Sequence, residues 1–348
     1  MARLDRQASS LVTGILLLGL IGVGLYAINR GFISPNQGGS LSAVTPVGIS
    51  PSPPTNASAP ASTIPQIFPD VVVGITTNGV TQLRLRGPGH PDKLIFTDAD
   101  ETLKFTVPLG SNFKDHLYAW VGSGPDAPSG HLASIASDGS GTQVFIGDEI
   151  PVSSPPTLSP DASRFGYTSF DNVEGAVGFT LLESQPTGGT PRSVDTSSTG
   201  ISLPRYSQNG TLAYIVGQTN PDQGQEIRVY EQTSKRTVLR HAKNEIISDL
   251  VWIGNTRLAF VTEPLGNSTT NLAKILIIDS ASGQMVQTLD LKGKERSLQA
   301  TADGAFLGVI TGDVPQNGMG DGTVMVIELA SGTKEERGNA RFISGFLK

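Results

Sequence analysis

Residues 206–216 read Tyr-Ser-Gln-Asn-Gly-Thr-Leu-Ala-Tyr-Ile-Val, a tight turn followed at once by a short apolar run. Asn209 and Gly210 suit a turn because both tolerate positive φ, and the serine and asparagine side chains bond back to nearby backbone. The run Leu212–Val216 is apolar on both faces. Such a strand needs cover on both sides, and small Ala213 between Leu212 and Tyr214 lets a neighbouring sheet come close.

The same pattern, a small residue between two large apolar ones, recurs at Val73-Gly74-Ile75, Tyr118-Ala119-Trp120, Phe165-Gly166-Tyr167, Leu258-Ala259-Phe260 and Leu307-Gly308-Val309. The small residues are 45, 47, 47, 46 and 49 positions apart. Turn chemistry precedes several copies, as in Ser159-Pro160-Asp161, Gly254-Asn255 and Ala302-Asp303-Gly304. Later in each copy comes a second turn between β-like runs, such as Gly87-Pro88-Gly89, Asp138-Gly139-Ser140-Gly141, Pro186-Thr187-Gly188-Gly189, Thr233-Ser234, Ser282-Gly283 and Ser331-Gly332. Each unit therefore supplies four strands, and four strands repeated every 45 to 49 residues predict the blades of a β-propeller. The expected fold class is all-β, a six-bladed propeller of four-stranded antiparallel blades. Phe342–Phe346 follows the last full copy, while nothing strand-like precedes the first. This C-terminal strand is expected to complete the first blade and close the ring.

The segments LSPDASRFGYTS (158–169), YSQNGTLAYIV (206–216), WIGNTRLAFVTE (252–263) and LASIASDGSGTQVF (132–145) resemble the repeat of TolB-like, or WD40-like, propellers. That resemblance covers residues 71–348 and implies the propeller fold; it implies no one function, because such propellers serve unrelated roles. TolB itself carries an α/β domain before its propeller, whereas this chain has a different N-terminal region, so partnership with the Tol-Pal system is not carried over. Related propellers also precede serine peptidase domains. Here there is no Gly-x-Ser-x-Gly elbow and no length left for a hydrolase domain, which removes that reading.

Residues 11–28, LVTGILLLGLIGVGLYAI, carry no charge and as a helix would extend about 27 Å, near the thickness of a bilayer core. The expected organisation is a cytoplasmic tail (1–10), a single transmembrane helix acting as signal anchor (11–28), a stalk (29–69) and the propeller (70–348). Arg3 and Arg6 favour a cytoplasmic N-terminus, which puts the propeller on the extracytoplasmic side of the cell membrane. A cleaved signal peptide is the competing account and leads to the same compartment; its best cleavage site, Leu25-Tyr26-Ala27, has a bulky leucine where a small residue is preferred. No Gly-x-x-x-Gly pattern supports helix dimerisation. Residues 31–69 hold eight prolines and no charged side chain, a composition that forms no packed core.

Beyond residue 30 there are 22 basic and 30 acidic residues, and this negative balance without a basic stripe argues against nucleic acid as a partner. The chain has no cysteine, which excludes disulfides, thiolate nucleophiles and cysteine-held zinc. Its four histidines, His90, His116, His131 and His241, show no metal-ligand spacing. The acidic run at Asp98, Asp100 and Glu101 and the loop between Asp313 and Asp321 lack the alternation of a calcium loop and read as solvated turns. No catalytic residue, metal site or cofactor is expected. Long connections after the core strands, at 122–131, 169–177, 217–226, 263–272 and 311–322, would emerge on one face of a propeller. Their carboxylates, Asp126, Asp171, Asp222, Glu263, Asp313 and Asp321, would give that face an acidic rim suited to a protein, peptide or glycan partner. Solubilising loops without a partner are the plain alternative. The expected function is a non-enzymatic interaction or envelope scaffold module, with a ligand-sensing or metal-dependent enzyme channel as the alternative.

Overall fold

The computed structural model describes residues 67–347, apart from 78–79, 89–91, 99–115, 123–128, 141–142, 174–175, 218–223, 243–244, 265–272, 291–295 and 313–320. The expected tail, membrane helix and nearly all of the stalk lie outside the described residues.

The described chain is a six-bladed propeller of antiparallel sheets. Blade 1 holds β1 (Asp70–Thr77), β2 (Val80–Arg86) and β3 (Lys93–Asp98), and blade 2 holds β4 (His116–Gly122), β5 (Ser129–Ala136) and β6 (Gln143–Pro151). Blade 3 holds β7 (Thr157–Leu158), β8 (Phe165–Val173), β9 (Ala176–Ser184) and β10 (Arg192–Ser197). Blade 4 is β11 (Ile201–Tyr206), β12 (Leu212–Val216), β13 (Glu226–Glu231) and β14 (Ser234–Arg240). Blade 5 is β15 (Glu245–Ile253), β16 (Arg257–Pro264), β17 (Lys274–Asp279) and β18 (Met285–Leu289). Blade 6 is β19 (Arg296–Ala300), β20 (Phe306–Thr311), β21 (Gly322–Glu328) and β22 (Lys334–Ala340), after which comes β23 (Phe342–Leu347). Five sheets are four-stranded; blade 2 shows three strands among the described residues. In each of the five four-stranded blades the small residue of the repeat sits on the strand next to the inner edge, as the apolar faces on both sides of it require.

As expected, β23 pairs with β1 and completes blade 1, with Asp70 opposite Leu347, Val71 opposite Phe346 and Gly74 opposite Phe342. Arg341 N–H also donates to the Gly74 carbonyl at 2.8 Å. Ile343 and Phe346 are buried with Val71 and Val73 of blade 1 and Ile310, Val324 and Val326 of blade 6, so one strand seals two blades. Gly74 permits this closure, because a Cβ there would stand inside the Phe342 ring. At Gly308 a Cβ would come within 2.9 Å of the Phe346 ring.

Three of the turns leading into the second strand are tied in the same way. Ser159 Oγ donates to Asp161 at 2.5 Å and accepts from Arg164 N–H at 2.9 Å. Ser207 Oγ does the same with Asn209 and Thr211 N–H, and Thr301 Oγ1 with Asp303 and Phe306 N–H. Bonds from Ser159 and Ser163 hold the Asp161 carboxyl down at about 2. These ties explain the Ser-x-Asp/Asn spacing of the repeat.

Blades 3 and 4 are clamped through Asp195, whose side chain is fully buried. Its carboxylate on β10 accepts from Tyr214 Oη (2.9 Å), Arg228 Nη1 (2.9 Å) and Lys235 Nζ (2.5 Å) of blade 4 and from Thr196 N–H (2.9 Å). Burial by itself raises this carboxyl, but the bonds from Lys235, Tyr214 and Arg228 outweigh it and hold Asp195 below the ordinary aspartate range. A depressed folded-state pKa contributes stability above the unfolded value of about 3.9, lost as pH falls below it.

Deleting residues 342–348 should lower the melting temperature sharply and expose apolar surface of blades 1 and 6 to a hydrophobic dye; an unchanged melt would contradict closure by β23. Asp195→Asn should cost about 2–3 kcal/mol at pH 7 in denaturant titrations. The gap to the unsubstituted protein should narrow as pH is lowered below about 4.

Candidate functional site

The six carboxylates expected on one rim do not all stand on loops. Asp171 lies within β8 opposite Gly178 of β9, and those strands run on to Val173 and Ala176, leaving only residues 174 and 175 between them. The expected long connection at 169–177 is therefore a hairpin, because the ladder continues through residues that look polar and loop-like in sequence. Glu263 is half-buried on β16 opposite Ile246 of β15, and Asp321 is exposed just before β21. Asp126, Asp222 and Asp313 lie outside the described residues. Glu263 and Asp321 both stand at the second-to-third strand connection of their blades, so they share one end of the propeller.

His116 opens β4, His131 is on β5 opposite Val121, and His241 follows β14 with its ring edge on Phe260. Among the described residues no three His, Asp or Glu side chains gather around a point where a metal ion could sit.

The axis is lined by inner strands. β11 packs along β15, β15 along β19 and β19 along β23. Each of these four strands slips register against its partner, between Ser202 and Arg205, between Ile247 and Asp249, between Arg296 and Gln299, and opposite Val72 and Val73. Leu203 (φ 50°) and Ser297 (φ 58°) sit in left-handed backbone at two of these bulges. A bulge breaks the alternation of the pleat and re-aims the side chains beside it. Here they are aimed sideways along the wall. Trp252 Nε1 donates to the Arg205 carbonyl at 2.9 Å, Asp249 Oδ2 accepts from Leu298 N–H at 2.7 Å, and Ser297 Oγ accepts from Ile343 N–H at 2.8 Å.

Arg205 and Asp249 are a buried pair on neighbouring inner strands, 3.6 Å apart at their nearest atoms. Burial lowers the arginine and raises the aspartate, with each partner opposing the shift of the other. Arg205 Nη1 also donates to its neighbour's carbonyl on Pro204 at 2.9 Å, while Arg205 Nε and Ser202 Oγ are buried with no hydrogen-bond partner among the described residues. Neither Arg205 nor Asp249 stands out in the sequence, because a bulge that brings them together leaves no trace in the hydrophobic pattern.

A concavity of about 390 Å³ opens between blades 2 and 3. Blade 2 contributes Tyr118 and Ile146, and blade 3 contributes Leu158, Ala162, Ser163 and the turn at Gln185, Pro186 and Thr187. None of these side chains is charged. The sequence pattern marks Leu158 and Tyr118 only as core.

No family model and no curated protein matches the chain. Among solved structures, it is similar to TolB from Acinetobacter baumannii, with a TM-score of 0.56 and 11% identity, over 81% of this chain and 68% of that one. It is similar also to putative TolB from Agrobacterium tumefaciens, with a TM-score of 0.55 and 13% identity, over 80% of this chain and 94% of that one. The fold is that of a TolB-like propeller. An oligogalacturonate lyase from Vibrio parahaemolyticus matches with a TM-score of 0.47 and 10% identity over 77% of this chain and 78% of that one, a likeness too low to bear on function. At identities this small the TolB likeness establishes architecture, and function has to be argued from the site.

Removing one member of the axial pair leaves the other buried and uncompensated. Asp249→Leu should cost about 3–5 kcal/mol in a denaturant titration. Arg205→Met combined with Asp249→Leu should cost clearly less than the sum of the two single changes. Additive losses would show that the pair is not coupled.

Proposed function

We propose that this chain is a membrane-anchored extracytoplasmic propeller that binds a protein, peptide or glycan partner without catalysing a reaction. The observation that carries the reading is the axial wall, where Trp252, Asp249 and Ser297 bond from one inner strand to the next rather than converging on an open channel. Ties from β11 through β15 and β19 to β23 stiffen that arc of the wall, and a stiff scaffold makes its end loops the natural binding surface. The TolB-like fold supports such a scaffold, and the uncharged run 11–28 followed by the proline-rich stalk supports a tether that holds it clear of the bilayer. In this reading the acidic end, with Glu263 and Asp321 and the loop carboxylates Asp126, Asp222 and Asp313, faces the partner.

A second reading, a channel that senses a small molecule, draws on the unpartnered Arg205 Nε and Ser202 Oγ. It stands behind the first because Asp249 already neutralises the guanidinium at close range.

The test is a Glu263→Lys, Asp321→Lys double variant in quantitative proximity labelling on the native membrane. Loss of about tenfold or more of the most enriched neighbour, with the melting temperature unchanged, is the expected result. An identical labelled set from both proteins would overturn the acidic face as the binding surface.

A further inference from the structure

The junctions between successive blades are built from equivalent positions, and among the described residues these positions are filled unequally. Opposite the residue before each repeat's small residue stand Leu158 in blade 3, Tyr206 in blade 4, Trp252 in blade 5 and Ala300 in blade 6. Tyr206 and Trp252 are buried and each reaches back across its junction, Tyr206 Oη to Glu183 at 2.8 Å and Trp252 Nε1 to the Arg205 carbonyl at 2.9 Å. A second tie comes from the residue two before the small one. Arg164 donates to the Gly210 carbonyl of blade 4 at 3.1 Å, and Arg257 to the Gly304 carbonyl of blade 6 at 3.4 Å.

Blade 6, with only Ala300, is thus still spanned by Arg257. At the junction of blades 2 and 3 neither device is present: the aromatic position is Leu158 and the arginine position is Leu117. The acceptor is missing as well, because the residue paired with the small one on the third strand is Glu183 in blade 3 and Ala133 in blade 2. Between blades 6 and 1 the same two positions hold Ile343 and Phe306, but there Phe306 sets its ring against Phe68 and Phe346 is buried in the seam. Where the junctions of blades 3 and 4, 4 and 5, 5 and 6, and 6 and 1 are thus filled by a ring or an arginine, that of blades 2 and 3 has the cleft of about 390 Å³, a volume within the range of ligand pockets, about 300–1,000 Å³.

The lining states what suits it. Tyr118, Ile146, Leu158 and Pro186 offer apolar and aromatic contact, Thr187 offers a neutral hydroxyl, and Ser163, whose hydroxyl already donates to Asp161, offers a hydroxyl oxygen. A buried charge would find no opposite charge among these residues and would lose its hydration. The surface around the mouth can take a chain rather than only a small molecule. Val144 is 57% exposed on the same face of β6 as half-buried Ile146 and extends the apolar strip outward. Beside the cleft, Gly188 and Gly189 hold left-handed backbone at φ +102° and +129° with open space where a side chain would project.

We propose that the cleft between blades 2 and 3 receives an exposed tryptophan side chain of a partner polypeptide, which takes the place that Trp252 and Tyr206 fill within the fold at other junctions. A large, stiff ring with one polar edge is also the side chain that yields most binding per ordered torsion. The inference rests on the binding-module reading, but it concerns the end of the propeller that carries the first-to-second and third-to-fourth strand turns, opposite to Glu263 and Asp321.

The probe is the neutral peptide acetyl-Gly-Gly-Trp-Gly-Gly-amide, titrated against the full-length chain by saturation-transfer NMR. The tryptophan peptide should bind at least about tenfold more tightly than the same peptide with leucine. Leu158→Trp should abolish binding by filling the cleft from within. Thr187→Trp, on the exposed turn and harmless to folding, should abolish it by covering the mouth even where Leu158→Trp disturbs the core. Val286→Ser, on exposed β18 of blade 5, should leave binding unchanged. Undiminished binding to a folded Thr187→Trp protein would overturn the proposal. So would binding of free indole without binding of the peptide, which would assign the cleft to a small molecule. Self-association removed by Thr187→Trp would assign it to a second copy of this chain and likewise overturn it. If the cleft fails while charge reversal at Glu263 and Asp321 still abolishes capture, the binding-module reading stands without this contact; failure of both sinks the reading itself.

Discussion

The ring depends on the pairing of β23 with β1, two strands from opposite ends of the described chain. A propeller blade is apolar on both faces, so a ring that stays open leaves two of them in water. Here the closing strand lays Ile343 and Phe346 into the seam between blades 1 and 6 and sets Phe342 against Gly74. The entropy of bringing residues 70 and 347 together grows only slowly with the length of chain between them. A single well-packed strand can therefore hold the whole circle, at the expense of a fold dominated by distant contacts that form late.

With the circle held, the blades are joined by a small set of devices used unequally. Hydroxyl-tied turns fix the entry to the second strand, arginines reach the carbonyl of the next turn, aromatic rings fill the wedge, and the Asp195 carboxylate gathers three donors from the neighbouring blade. The junction of blades 2 and 3 carries neither the ring nor the arginine at these positions, and it is left with a cleft. The cleft between blades 2 and 3 is recognisable less by its size than by the residues that its counterparts possess.

The axial wall shows the same economy of means from the other side. Bulges in β11, β15, β19 and β23 turn side chains along the wall, so that an aspartate and a serine bond to the next inner strand and a tryptophan to the preceding one. The Arg205–Asp249 pair is an expensive way to do this, since two charges lose water for an interaction at 3.6 Å. Asp249 also accepts from Leu298 N–H and Arg205 donates to the Pro204 carbonyl, so the two charges are compensated together only while three strands' worth of backbone, β11, β15 and β19, is held in this register.

Repeat spacing, turn residues and the apolar run around each small residue determined the blade count, the hairpins and the closing strand, because a blade's needs are local: a turn, a two-faced strand, a small residue for close approach. The side-chain assemblies were decided by tertiary structure alone. Asp171 looked like part of a loop, yet the ladder extends through it, since backbone pairing across β8 and β9 does not depend on which side chains the strands carry. Arg205 and Asp249 stand 44 residues apart and meet only because two bulges shift their strands out of simple alternation. The cleft at Leu158 was equally hidden, for a leucine in a strand reads as core until the register places it at the position where blades 4 and 5 carry tyrosine and tryptophan. Periodicity reports what every blade must share; what one blade lacks is visible only when its neighbours are stacked beside it.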